Sequence, residues 1–192
     1  MVGYEEMLSS IPAANKLEMV RNNWMSHDAR WQMLIVKNYG WDAGNKLNQE
    51  AIKQMGRIMM YRMMNALDIS KVENAEELIN LMLSVITLNF PTHQEGEFEM
   101  LIESESSIKI VGHYCSTHEN IKKVKAEDKY KCGCFPLREG FFSALQLEVE
   151  QECQKCLMNK DDKCDITLKI KNWENKLDVV NQKSDIIEKL NC

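Results

Sequence analysis

The sequence predicts an α+β fold, with an N-terminal helical bundle packed on an antiparallel β-sheet that ends in a cysteine-rich hairpin. Three observations predict it. Apolar residues recur at helical spacing through the first ninety residues. Short segments alternate apolar and polar residues after that point. Five of the seven cysteines fall between Cys132 and Cys164, and none precedes Cys115.

Leu17–Tyr39 reads as the first long helix, with Trp24, Trp31 and Ile35 on one stripe. Gly40 is placed to stop it, and Asp42 to cap the next. A second helix is expected over Ala43–Leu67, its apolar stripe running through Leu47, Ala51, Met55, Ile58, Met59, Met63 and Leu67. The polar stretch Ser70–Glu76 connects it to a third helix, Ala75–Leu88, which Pro91 ends. Phe98–Glu103 and Ile108–Tyr114 then alternate as a hairpin around a Ser104–Ser107 turn. A short basic helix at Ile121–Val124 and a helix over Leu137–Leu145 follow. Leu147–Glu150 and Ile166–Ile170 form the second strand pair, and Trp173–Leu190 a final amphipathic helix (Leu177, Val180, Ile187, Leu190). Residues 1–95 are thus read as a helical region and 96–192 as an α+β region, packed as one unit.

Composition narrows the function classes. The chain has 192 residues, 44% hydrophobic and 28% charged, within the ordinary globular range. A net charge of −5 supplies no basic field for nucleic acid. The longest apolar stretch, Leu78–Phe90, is interrupted by Asn80, Ser84, Thr87 and Asn89, so no membrane span is expected. Met1–Asn15 shows no basic n-region or apolar h-region, so a cytoplasmic location is expected. Homodimer formation stays open.

The cysteines carry the sharpest chemical signal. Cys153-x2-Cys156-x7-Cys164 surrounds the polar turn Leu157–Lys163, and Cys132-x-Cys134 lies upstream. A reverse turn brings Cys156 and Cys164 together, with Cys153 close behind. Zinc takes four tetrahedral ligands and accepts thiolates, so the fourth ligand is expected from Cys132 or Cys134. Four thiolates also suit an iron–sulfur cluster. Buried free cysteines or disulfides are the bland alternatives.

Two further features suggest a pocket. Asp28 lies between Trp24 and Trp31 near the apolar stripe, where a carboxylate is costly unless it is paired or functional. Its plain structural reading is a bond to Arg57, Arg62 or a helix N-terminus. His27 beside it is a weaker candidate. The methionines at 55, 59, 60, 63 and 64 either fill core or line a surface that accepts varied apolar shapes. The candidate pocket is Trp24, Asp28, Trp31, Met55, Met59 and Met63, with His113 and Tyr114 as polar groups; its ligand would be a small hydrophobic or aromatic molecule. Cys115 and His118 could instead serve as a nucleophile and base, or add a metal ligand. That sets a metal- or cysteine-dependent hydrolase or reductase as the alternative function. Cys192 is expected to be a free thiol.

The run Cys134-Phe135-Pro136-Leu137-Arg138-Glu139-Gly140-Phe141-Phe142-Ser143, with Glu148–Cys156 and Lys160–Cys164, resembles the 4-vinyl reductase domain. The resemblance implies a small-molecule-binding α+β module with structural zinc beside an aromatic-ligand pocket. It implies closing ligands at Cys156 and Cys164, Cys153 in place of a glutamate ligand, and an upstream ligand at Cys132 or Cys134. The turn departs from the family pattern: Asn159 and Asp161 stand where a glycine is usual. The front half, through Trp24, His27, Asp28, Trp31, Gly40, Ala43, Asn48 and Gly56, is similar to a group of uncharacterised prokaryotic proteins. That similarity implies no activity.

Overall fold

The computed structural model describes residues 3–90 and 98–173. Pro91, the Trp173–Leu190 helix beyond its first residue, and Cys192 lie outside the described residues.

The fold is α+β, as expected. A short helix not foreseen from sequence, α1 (Tyr4–Ser9), precedes the long α2 (Ala13–Leu67). Gly40 interrupts α2 with φ 84° and ψ 170°, a backbone region open to glycine and strained for other residues. The chain folds back there. A Cβ placed on Gly44 would stand 2.5 Å from Cγ2 of Val36, so the two arms meet across the corner without room for a side chain. Asp68 closes α2 in the left-handed region, with the Ile69 amide bonded to the Met64 carbonyl at 2.9 Å.

Helix α3 (Ala75–Asn89) starts with reciprocal capping. The Glu77 amide donates to Asn74 Oδ1 at 2.9 Å, and Glu77 accepts in return from Asn74 Nδ2 and from the Glu73 amide. Its exposed C-terminal carbonyls are met by α2. Arg21 Nε donates to the Leu88 carbonyl at 2.9 Å, its Nη2 donates to the Thr87 carbonyl, and Trp24 Nε1 donates to Asn89 at 3.2 Å. A cation at a helix C-terminus also complements the dipole.

Four strands follow the alternation read from sequence: β1 (Phe98–Ser104), β2 (Ser107–Gly112), β3 (Val149–Lys155) and β4 (Cys164–Ile170). Their order in the sheet is β1-β2-β4-β3, antiparallel throughout. Ile108 and Ile110 of β2 and Ile166, Leu168 and Ile170 of β4 all point to one face. The opposite face is polar, with Lys109 paired to Asp165 across the strands at 3.2 Å. Helices α4 (Ser116–Lys123) and α5 (Cys134–Leu145) lie between β2 and β3 in the chain.

The core joins the two sequence regions. Met60 and Met64 of α2, Leu78, Met82 and Val85 of α3 and Phe141 and Phe142 of α5 pack on the sheet's apolar face. Met60 and Leu78 are wholly buried, so methionine here fills core. Helices α2 and α5 cross at two glycines. A Cβ on Gly56 would stand 2.3 Å from the Leu137 carbonyl oxygen, and one on Gly140 would stand 2.2 Å from the Lys53 carbonyl oxygen. This backbone-level contact fixes the start of α5, and with it Cys134.

Candidate functional site

The site forms where the Lys129–Gly133 segment, the N-terminus of α5, and the turn between β3 and β4 converge. Asn45 of α2 sets the first of these. It is 2% exposed, donates from Nδ2 to the Lys129 carbonyl at 2.7 Å, and accepts from the Lys131 amide at 3.0 Å. Both hydrogen-bonding edges of one buried amide side chain thereby grip the strand of loop that leads into Cys132. Tyr130 is buried between them, its hydroxyl pushed up first by burial and then by Cys132.

The β3–β4 turn is equally ordered. A single 3₁₀ turn, Leu157–Asn159, follows Cys156. Asp161 Oδ2 accepts from the Cys156 amide at 2.7 Å, and the Asn159 amide returns to the Cys156 carbonyl at 2.8 Å. Lys160 closes the turn with φ 67°. This left-handed residue takes the place of the glycine that the turn lacks.

These elements bring Cys132, Cys134, Cys156 and Cys164 to one end of a shared cavity, where each thiol shifts the titration of its neighbours. Cys156 packs with Cys132, Cys164, Ile121 and Met158 in a second small core. Cys134 is brought to about 7, first by the hydrogen bond from Cys132 and then by the charge of Arg138, against burial. Cys156 is driven far down by its two thiol donors and, beyond them, by the amides of Met158 and Asn159. Cys132 and Cys164 move up as the donors of those bonds. Among the described residues, no three His, Cys, Asp or Glu side chains stand at metal-holding distances. The four thiols share one end of the cavity without surrounding a point.

Cys153 does not join them. It is exposed on β3, with Sγ 3.5 Å from the Lys155 carbonyl. The expectation of Cys153 as a ligand rested on its spacing from Cys156. A register irregularity between Cys153 and Lys155 separates the two instead. Cys115 lines the same cavity, and its thiol is pushed up by burial first and by Cys134 next. The His118 imidazole is engaged elsewhere. Buried His118 holds its Nε2 3.2 Å from Glu127 Oε1, with Glu119 3.7 Å from Nδ1. The nucleophile–base arrangement of Cys115 and His118 is therefore absent.

A cavity of about 170 Å³ opens against these thiols. Phe90, Phe98, Met100, Ile110, Phe141 and Ile166 make its apolar wall. Cys115, Cys132, Cys134, Cys156, Cys164 and Arg138 line its other end. Of the pocket residues expected from sequence, Tyr114 lines it; Trp24, Asp28, Trp31, Met55, Met59, Met63 and His113 do not. Trp24 packs edge-on against Phe90 at 5.7 Å and so stands behind the wall. Trp31 is 60% exposed, and Met63 borders an open groove with Arg21 and Leu83.

No family model matches the chain, and no curated protein matches it. Among solved structures it is similar to a trafficking protein particle complex subunit 3 from Naegleria fowleri covalently bound to palmitic acid. The identity is 14%, the match covers 81% of this chain and 98% of that chain, and the TM-score is 0.49. The resemblance of Cys134–Ser143, Glu148–Cys156 and Lys160–Cys164 to the 4-vinyl reductase domain is corrected, since no family model matches the chain. Among the described residues, no helix is long and apolar enough to cross a membrane.

Asp28, set beside the pocket by sequence, is half-buried on α2, and burial raises its carboxyl above the usual 3.8 while His27 opposes. A carboxyl raised in the folded state binds its proton more tightly there. The cost of ionising it is absent at pH values below 3.8 and grows as pH rises through the folded-state value. Asp28→Asn should therefore melt above the parent protein at pH 7, and the gap should close as pH falls toward 3.8. Melting curves of both proteins across that range check it; a gap independent of pH would show that the carboxylate is not what costs stability.

Sequence reasoning missed Asn45, Gln151 and the buried Arg138. The only available signal was the four-residue spacing of Cys134 and Arg138, which places them on one face of α5.

Proposed function

We propose that this protein holds a small apolar molecule in the cavity between α5 and the sheet, and a structural zinc ion on Cys132, Cys134, Cys156 and Cys164. The observation that carries this reading is the juxtaposition itself: an apolar chamber whose far end is lined by the thiols of Cys132, Cys134, Cys156 and Cys164. A chamber of about 170 Å³ suits a single-ring or short-chain molecule; an engineered apolar cavity of ~150 Å³ accepts benzene. All six cysteines of the described residues are free, which suits a reducing compartment such as the cytoplasm. Zinc, when bound, would cross-link the Lys129–Gly133 loop, α5 and the β3–β4 turn, and so brace one wall of the chamber. Binding without turnover is the reading these residues favour, because His118 is committed to Glu127.

The chamber is tested by toluene titration observed at the methyl groups of Met25, Met100 and Met158, which line it. Saturable shifts at these three methyls, absent in Ile110→Phe, are expected, since a larger ring at this wholly buried position occupies the space. Unchanged methyl signals at toluene saturation would remove the pocket reading. Zinc content of Ile110→Phe should match that of the parent protein.

A further inference from the structure

Arg138 of α5 lines the chamber and is 6% exposed. Its Nε donates to Gln151 Oε1 at 2.7 Å, and Gln151 Nε2 donates in turn to the Phe135 carbonyl at 3.1 Å. The guanidinium carbon lies 4.8 Å from the centre of the Phe135 ring, which belongs to the same chamber wall. These contacts hold the planar fork by one edge and one face. The rest of it is left over: Nη2 is buried and makes no hydrogen bond. Among the described residues, no carboxylate pairs with Arg138, and no aspartate or glutamate lines the chamber. His118, the other basic side chain of the lining, is already met by Glu127. A buried cation with an open donor is costly until an anion meets it.

We propose that the chamber's ligand is a small carboxylate, whose single ring or short chain lies on Phe98, Met100, Ile110 and Phe141 while its carboxylate oxygen accepts from Nη2 of Arg138. The proposal rests on the chamber reading above and owes nothing to a metal. It explains why a guanidinium is buried where no carboxylate of the chain reaches it. It also explains the grip of Gln151 and Phe135, because a fork held in place beforehand loses little freedom when a ligand arrives. An apolar wall with one oriented polar group is the usual build of a site for a small molecule with a polar end. The charge count favours carboxylate over phosphate. A phosphate brings up to about two negative charges to this one unpaired cation, and a carboxylate brings one.

Benzoate is the probe, with benzamide as its neutral counterpart of nearly the same shape and toluene as the ring without a polar end. Binding is read at the methyl groups of Met25, Met100 and Met158. Benzoate should bind the parent protein about 10–100-fold more tightly than benzamide, the range for a hydrogen bond to a charged group. Ile110→Phe should abolish the benzoate shifts, which places them in the chamber. Arg138→Met should lose that same 10–100-fold for benzoate and keep toluene binding, and Arg138→Lys should recover part of the loss. The proposal is overturned if benzamide binds the parent as tightly as benzoate, if toluene moves the three methyls and benzoate does not, or if Arg138→Met binds benzoate as tightly as the parent. The first of these would leave a thiol of the chamber as the partner of the guanidinium. Should Arg138→Met lose toluene as well, through a disturbed fold, the comparison of benzoate with benzamide on the parent decides alone. Methyls unmoved by both toluene and benzoate would instead remove the chamber reading itself.

Discussion

Gly140→Ala should lower the melting temperature by roughly 10 °C, the size expected of a loss near 3 kcal/mol in a chain of this length. The sign of the effect is informative. In an unobstructed helix, alanine in place of glycine would stabilise by about 1 kcal/mol. Here the new methyl would stand 2.2 Å from the Lys53 carbonyl oxygen and 2.7 Å from the Arg57 amide nitrogen. Both obstacles are backbone, so neither can turn aside as a side chain would. The helices must separate, and α5 takes Phe141, Phe142 and Cys134 with it. Gly56→Ala meets the Leu137 carbonyl from the other side at 2.3 Å and should behave alike. Gly133→Ala is the control within the same region, because its obstacle is the end of the Ile52 side chain, which can move. Gly40→Ala is a different case. Nothing lies within 4 Å, yet φ is +84°, so its cost of about 1–2 kcal/mol would be conformational. Thermal melts of the four variants would test the crossing. A Gly140→Ala protein that melts at or above the parent temperature would show that α2 and α5 do not meet at backbone distance.

The architecture was legible because each element carries its own local signal. Alternation at Ile108–Ile110 and Ile166–Ile170 named the buried face of β2 and β4. Gly40 marked the break in the first long helix, and the chain turns back on itself at that residue. What stayed hidden depends on which surfaces meet. The Trp24 stripe was apolar for a reason, but the partner is the end of α3 and Phe90, which no periodicity reveals. The methionines were read as core or pocket, and the choice turned on whether a second layer covered them. Cys153 illustrates a further limit. Counting residues treats Cys153-x2-Cys156 as a pair, whereas one register irregularity in a strand is enough to turn the first of them outward. Arg138 was invisible because its significance lies in what it lacks, a carboxylate partner.

Serine at Cys156 should remove zinc and lower stability together, while serine at Cys153 should do neither. The two cysteines are three residues apart, and spacing alone would give them the same role. The geometry separates them. Cys156 is 5% exposed, in contact with Cys132 and Cys164, and its sulfur faces the amides of Met158 and Asn159. Cys153 is exposed and does not line the cavity. Losing one of four thiolates should weaken zinc binding by more than the ~10–100-fold that loss of a supporting residue costs. Because structural zinc in small domains contributes apparent binding energies of ~10–16 kcal/mol to folding, the metal-bound melting temperature of Cys156→Ser should fall to that of the chelator-treated parent. Cys164→Ser should match it, and Cys132→Ser and Cys134→Ser should each do the same if all four sulfurs hold one ion. Metal content by elemental analysis, measured alongside melting with and without chelator, checks all five variants. Full zinc content and unchanged melting in Cys156→Ser would leave the four cysteines as nothing more than packed thiols. Zinc lost only with Cys115→Ser would move the ligand set to the other side of the chamber, where the cavity and not the turn would enclose the ion.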